Sequence, residues 1–316
     1  MAAKSRGARI SPQHTFIITG ANSGLGLACS TVLAADPQNL VILACRNVES
    51  GEQVARLLPN GTSNAKVIAL DLANQSSIRA FVTAFRAGQF PPLAGLVCNA
   101  GGQNVGAPTQ TEEGYESTFG VNHLGHYLLS RLLLTELSTG GRITFVSSGT
   151  HDPAQKTGMP APQYTNADAL AHDFEAGGLA GRRRYTTSKL CNVYTTYEYA
   201  RRFAGSTDPR LQSLRVNAFD PGLMPGTGLA RTYSAPLRFV SKYIFPALSV
   251  FIKNVHTPKT SGRRLALLAT GTEAGATGKY FSDGREVRSS TDSYDLEKAR
   301  ELWDRSAEMT GVSTAL

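Results

Sequence analysis

The stretch Thr15 to Gly26 leaves this chain few options. Thr15-Phe16-Ile17-Ile18-Thr19 is a short apolar, β-branched run that stops at glycine, as a buried strand does. Gly20-Ala21-Asn22-Ser23-Gly24-Leu25-Gly26 follows, and Leu27 to Ala35 then reads as a helix. Glycines in such a turn let the backbone come close to a pyrophosphate, and the helix N-terminus supplies free N–H groups and a favourable dipole. A glycine turn alone is a weak sign. With a strand before it and a helix after it, it reads as a dinucleotide-binding turn.

The same alternation recurs along the chain. Asn39 to Cys45, Ala65 to Leu70, Leu93 to Cys98, Gly141 to Val146, Leu214 to Phe219 and Gly278 to Ser282 read as further strands. Helical stretches are expected over Ser76 to Phe85, Gly114 to Leu137, Arg183 to Phe203, His256 to Ala269 and Asp292 to Met309. This pattern predicts an α/β protein: a doubly wound parallel sheet of about seven strands with right-handed crossovers. No repeat or linker interrupts it, so residues 1–316 form one domain. Ligands of such sheets collect at the carboxyl ends of the strands. There the chain places the glycine turn, Arg46, Asp71-Leu72 and Asn99-Ala100-Gly101. Arg46 stands where a carboxylate would bond a ribose 2′-hydroxyl; an arginine instead suits a 2′-phosphate, which predicts NADP.

Tyr185-Thr186-Thr187-Ser188-Lys189 brings the chemistry. Residues four apart share one face of a helix. A tyrosine loses its proton only at about pH 10, and bringing that value near neutrality takes roughly 4 kcal/mol, which a close, partly desolvated ammonium can supply. The pair alone occurs by chance on many amphipathic helices, so its company decides. Asn122 lies in a helical stretch among apolar neighbours, an expensive place for an amide that is not hydrogen-bonded.

Thr19-Gly20-x-x-x-Gly24-x-Gly26, Asn99-Ala100-Gly101, Asn122, Ser148, Tyr185-x-x-x-Lys189 and Pro221-Gly222 follow one another as in the short-chain dehydrogenase/reductase family, which the chain resembles over nearly its whole length. Within that family it is similar to the branch of retinol dehydrogenases and light-dependent protochlorophyllide reductases. The similarity runs through Asn22-Ser23-Gly24-Leu25-Gly26, Ala44-Cys45-Arg46, Asn122-His123-Leu124-Gly125-His126 and Ser188-Lys189-x-Cys191-Asn192. Likeness to the protochlorophyllide reductases is the greater, although those carry a cysteine after the Pro-Gly pair where this chain has Leu223.

The resemblance implies a Rossmann fold and a set of roles. Tyr185 would exchange a proton with the substrate oxygen, which Ser148 would hold. Lys189 would lower the tyrosine pKa and hold the nicotinamide ribose, and Asn122 would anchor a water of the proton relay. Cofactor contacts are implied for Gly20, Asn22, Ser23, Gly24, Leu25, Gly26, Arg46, Asp71, Leu72, Asn99, Ala100, Gly101, Tyr185, Lys189, Pro221, Gly222 and Thr227. Ser147 competes with Ser148, but adjacent strand residues point to opposite faces and the family pattern selects Ser148. His123, His126 and His151 read as structural, and no spacing suits a metal.

Tyr185 follows Ser148 by 37 positions, far more than the family's usual spacing. The extra segment, residues 151–182, is polar and rich in proline, alanine and glycine, and reads as a surface excursion near the site mouth. In the family such an insertion blocks the usual helix-pairing surface, which makes a monomer the expectation. Residues 223–256 read as a substrate lid, with Arg238, Lys242 and Lys253 among aromatic and aliphatic residues from Tyr233 to Val255.

The net charge of +8 favours anionic partners: a phosphorylated cofactor, an acidic substrate or, peripherally, a membrane surface through the lid. Nucleic acid is not expected, because the positive residues are scattered. Cys29, Cys45, Cys98 and Cys191 stand apart, as reduced buried thiols do, so an intracellular, cytoplasmic protein is expected. Met1 to His14 lacks the apolar core of a signal peptide, and Tyr243 to Ile252 is too short to span a bilayer. Three activities compete: an NADPH-dependent oxidoreductase for a carbonyl or alcohol of a bulky hydrophobic substrate, a light-driven reductase of a porphyrin double bond, and a dinucleotide sensor without catalysis. A sensor would be expected to lose Tyr185 or Lys189, and the chain keeps both.

Overall fold

The structure, a computed structural model, describes residues 11–224, 256–271 and 276–316. Thr227 and most of the expected lid lie outside them. Strands β1 (His14–Thr19), β2 (Asn39–Cys45), β3 (Ala65–Ala69), β4 (Leu93–Cys98), β5 (Leu137–Val146), β6 (Arg215–Asp220), β7 (Lys279–Ser282) and β8 (Arg285–Val287) form a single sheet. Its order is β3-β2-β1-β4-β5-β6-β7-β8. The first seven strands run parallel and β8 is antiparallel. The order reverses between β1 and β4, the switch point at which such sheets open a crevice for ligands.

Eight strands replace the expected seven. β8 escapes the sequence reading because it is three exposed residues returning through the tight turn Asp283-Gly284, both at positive φ.

The strands are buried because each face of the sheet carries a helical layer. Ile17 and Ile42 point to one face, with Phe81, Tyr127 and Trp303; Phe16, Ile18, Val41 and Leu43 point to the other, with Leu25, Cys29 and Leu265. Helices α1 (Gly24–Leu33), α2 (Val48–Leu57) and α3 (Gln75–Ala87) make the first crossovers. α2, which the sequence reading leaves out, is capped by the Asn47 side chain on the Ser50 N–H.

The single helix expected over Gly114 to Leu137 is corrected. A short turn at Ser117–Phe119 passes into a π-turn at Gly120–Leu124 and then α4 (Gly125–Leu132), after which the chain enters β5 already at Leu137. The insertion is corrected as well. Its first part is exposed, but Tyr164, Ala167, Leu170 and Ala171 are core, packed on Cys191, Tyr194 and Leu302. This part includes α5 (Ala167–Ala171). The long helix α6 (Gly178–Ala204) starts five residues earlier than expected, then come α7 (Pro209–Ser213), α8 (Pro258–Thr270) and α9 (Leu296–Thr310). α9 packs along α6, and the guanidinium groups of Arg131 and Arg202 both lie over the ring of the buried Trp303. Among the described residues, no helix is long and apolar enough to cross a membrane.

Candidate active site

The glycine turn sits at the carboxyl end of β1. Gly20 and Gly24 hold positive φ, and a Cβ at Gly26 would lie 2.4 Å from the Gly20 carbonyl oxygen, so α1 packs against the turn only through glycine. Leu25 is buried beside it. Ser23, at the N-cap, makes no capping bond, and the first turn of α1 carries no acidic residue. Its N–H groups therefore keep no side-chain partner there, and the space beside Gly24 is open. Asn22 bonds Ser50. Arg46 is exposed at the end of β2, without an ion pair among the described residues. Asp71, at the end of β3, accepts the N–H of Ala73, and Leu72 is buried against Gly125. This cradle fits a dinucleotide phosphate: open backbone donors, a glycine face and an exposed guanidinium on the rim.

β4 leads into the second wall. Asn99 donates its side-chain amide to the Thr19 carbonyl at 2.8 Å, and the N–H groups of Asn99 and Ala100 both reach the Thr19 hydroxyl. A Cβ on Gly101 would press on the Asn122 amide oxygen at 2.9 Å. Asn122 itself, buried in the π-turn, has both amide hydrogens committed. Its Oδ1 accepts the Gly102 N–H, and its Nδ2 donates to the Gly102 carbonyl and to the Ser188 hydroxyl, each at 2.9 Å. Ser188 in turn donates to the Tyr185 carbonyl. The amide that looks expensive in sequence is the bolt between the β4 loop and α6.

The end of β5 lies against the same stretch of α6. Lys189 Nζ donates to the Val146 carbonyl at 3.1 Å and lies 5.6 Å from the centre of the Tyr185 ring. Burial pulls the Lys189 pKa down to about 8. Ser147 is buried and its hydroxyl donates to the Lys189 carbonyl, so it is occupied in holding the helix. Ser148 is half-buried, with its hydroxyl on the Thr150 N–H. Pro221 and Gly222 follow β6; the Pro221 carbonyl accepts from Ser261, and Gly222 takes positive φ. Glycine turn, Asn99, Asn122, Ser148, Tyr185, Lys189 and Pro221 thus all stand at the carboxyl ends of the strands.

Three residues have roles at this site that the sequence reading does not give them. Thr19 is the hub of the β1–β4 junction. Arg184, beside Tyr185, is buried, 3.4 Å from the Glu116 carboxylate, and donates to the Glu175 carbonyl. His126 bonds both Thr19 and Asn122. Thr19 was legible as part of the glycine motif; the partners of the other two come only with the fold. Among the described residues, no group of side chains is arranged to hold a metal ion.

The model of the short chain dehydrogenase family matches residues 14–165. Protochlorophyllide reductase A of Oryza sativa is 34% identical over 336 residues, covering 98% of this chain and 84% of that one. The protochlorophyllide reductase of Avena sativa is 34% identical over 324 residues, with 94% and 99% covered. In solved structures the fold recurs in an uncharacterised protein of Mycobacterium paratuberculosis (TM-score 0.70, 26% identity, 96% of both chains). It recurs also in a short-chain type dehydrogenase/reductase of Mycobacterium marinum (TM-score 0.62, 21% identity, 86% of this chain and 95% of that one). The chain belongs to the short-chain dehydrogenase/reductase family and is an oxidoreductase. Within the family it resembles the protochlorophyllide reductase branch.

Proposed function

We propose that the protein moves hydride between NADPH and the carbonyl or alcohol carbon of a bulky hydrophobic substrate, with Tyr185 as the proton donor or acceptor. The observation that carries this reading is the joining of Tyr185 and Lys189, on one buried face of α6, to the Gly102 loop through Ser188 and Asn122. When bound, the nicotinamide supplies the hydride. Tyr185 gives its phenolic proton to the substrate oxygen, and Ser148 donates a hydrogen bond to that oxygen. Lys189, whose Nζ lies beside Gly101, makes the phenolate less costly and would hold the ribose of the cofactor. Run backwards, the same groups take a proton from an alcohol. The cover that α9 and α5 give to α6 supports a monomer.

NADPH preference rests on Arg46. Replacing Arg46 with alanine should raise the KM for NADPH by roughly 10- to 100-fold, the range of a lost charged hydrogen bond, and leave the NADH value nearly unchanged. Equal use of the two cofactors by the parent enzyme would remove the assigned role. Lys189 sets a pH limit. Because its pKa is about 8, the ammonium is present below that value and lost as pH rises through it. The kcat/KM for the cofactor, which reports free-enzyme groups, should therefore fall on an alkaline limb starting near pH 8. A profile flat to pH 10 (about two pH units beyond) would refute it.

A second reading, light-driven reduction of a porphyrin double bond, is favoured by relatives named protochlorophyllide reductase, about one-third identical over almost the whole chain. Leu223, half-exposed after the Pro221-Gly222 pair, stands where the resemblance places a cysteine in those enzymes. NADPH absorbance followed against hydrophobic aldehydes and ketones in the dark, and against protochlorophyllide under light, separates the readings. Turnover in the dark supports the first. Turnover of the porphyrin that needs light supports the second.

A further inference from the structure

The proposed chemistry leaves the buried histidines unused, yet their hydrogen bonds fix where their hydrogens sit. His151 lies in the turn after Ser148, fully buried, its ring 4.8 Å from that of Tyr280. Its Nε2 is 3.1 Å from the backbone nitrogen of Ser290. A backbone N–H can only donate, so Nε2 carries no hydrogen. The ring hydrogen is on Nδ1, which donates to the Ser148 carbonyl at 2.7 Å.

His126 reaches the same state by a different route. Its Nε2 is 2.9 Å from the Thr19 hydroxyl. That oxygen already accepts the N–H groups of Asn99, at 2.8 Å, and Ala100, at 2.9 Å, which fills both lone pairs. The Thr19 hydrogen has two acceptors in reach, the Val97 carbonyl at 3.4 Å and Nε2 at the shorter 2.9 Å. With no lone pair left on Thr19 to take an Nε2–H, Nε2 is the acceptor of the short contact. The hydrogen of His126 is therefore again on Nδ1, aimed at the Asn122 carbonyl at 3.2 Å. Burial lowers the pKa of both rings, that of His126 to about 3, so each is neutral.

We infer that His126 and His151 are positioning residues, each an Nδ1–H tautomer that pins the main-chain carbonyl of a site residue, Asn122 or Ser148, to a second element of the fold. Both carbonyls stand where regular pairing ends, and on the Ser148 carbonyl the ring bond at 2.7 Å is shorter than the turn bond from the His151 N–H at 3.1 Å. Ser148 stands just past the last ladder bond of β5, in which Ser147 donates to Phe219. Asn122 stands in a π-turn, where the regular helical pairing is interrupted. His151 ties Ser148 to the Ser289–Ser293 segment, and His126 ties Asn122 to the end of β1. This inference rests on the roles proposed above for Ser148 and Asn122.

Histidine-selective ¹⁵N NMR of the wild-type protein reads the tautomers without any activity. The expected result is a protonated Nδ1 and a bare Nε2 on both rings; a hydrogen on Nε2 of either ring overturns the inference for that residue. An asparagine amide can stand in for Nδ1–H, and a glutamine amide cannot. His151→Asn should keep kcat within about 5-fold, whereas His151→Gln should lose roughly 10- to 100-fold, both with NADPH affinity unchanged. His126→Asn and His126→Gln should split the same way in kcat, and both should weaken NADPH binding because Thr19 also braces Asn99 and Ala100. Equal losses in the asparagine and glutamine variants would reduce the rings to packing and overturn the inference. Tyr185→Phe, assayed beside them, separates the two layers. If it stays active while the tautomers and the asparagine rescue hold, the proposed chemistry has failed and the positioning has not.

Discussion

Tyr185→Phe is expected to lower kcat by roughly 10²- to 10⁴-fold, the usual contribution of a positioned acid or base, with NADPH affinity within about 3-fold of the parent. The substitution removes one oxygen and keeps the ring. The residue is 7% exposed, and the ring's packing against the Lys189 side chain survives without the hydroxyl. The bolt from Gly102 through Asn122 and Ser188 ends on the Tyr185 carbonyl, a main-chain atom that the change does not touch. Lys189 keeps its bond to Val146, so the variant should fold and present the same surface to the cofactor. Binding measured by NADPH fluorescence and turnover measured by absorbance separate the two effects. Residual activity above a few per cent would sink the proton-transfer role, and a loss confined to KM would reassign the tyrosine to binding.

Much of the frame was legible because parallel strands covered on both faces are written as continuous apolar runs. Leu40 to Cys45 is buried at every position, and no surface pattern competes with that signal. The errors fall where a distant partner decides. Tyr164, Ala167, Leu170 and Ala171 have helical spacing, but they sit in a polar, proline-rich stretch, and the surface they cover belongs to α6 and α9. Nothing local announces that surface. The π-turn at Gly120–Leu124 is hidden for a related reason. Apolar spacing across Phe119, Leu124 and Leu128 suits one helix, while Asn122 is clamped to Gly102 and Ser188 from outside it.

The site shows the same division. The residue types, Tyr185 four positions before Lys189 and Asn122 among apolar neighbours, were readable from chemistry alone, and their order added the resemblance. The pleat argument allowed only one of two serines into the crevice, and the structure gives Ser147 to the Lys189 carbonyl. What the histidines and Arg184 do was out of reach, because it depends on Ser290, Thr19, Glu116 and Glu175, residues from other elements of the chain. A buried polar residue declares in sequence that it needs a partner, and does not say which.

Arg184→Met carries the largest expected effect on stability. Arg184 is 3% exposed and Glu116 is fully buried, with Nε and Oε1 3.4 Å apart. Asp173 adds a second carboxylate at 3.6 Å, and the Glu175 carbonyl accepts from Nη1 at 2.7 Å. Breaking a buried pair by removing one partner costs about 3–5 kcal/mol, which would lower Tm by roughly 6–10 °C. Methionine keeps the length of the side chain, so the loss is mainly one of charge and hydrogen bonds. The sign with pH follows from Glu116. Burial already raises its carboxyl pKa above the usual 4.5, although the N–H groups of Thr118 and Phe119 and the Arg184 charge oppose that rise. A raised acid destabilises the fold when it must ionise, and without Arg184 the pKa rises further. The destabilisation should therefore be small near pH 4.5, where Glu116 can take a proton, and grow as pH rises until it levels off above the new pKa. Thermal unfolding of parent and variant across that range tests this directly. A Tm difference that stays constant with pH would show that packing or the Glu175 contact, and not the buried carboxylate, makes Arg184 necessary beside Tyr185.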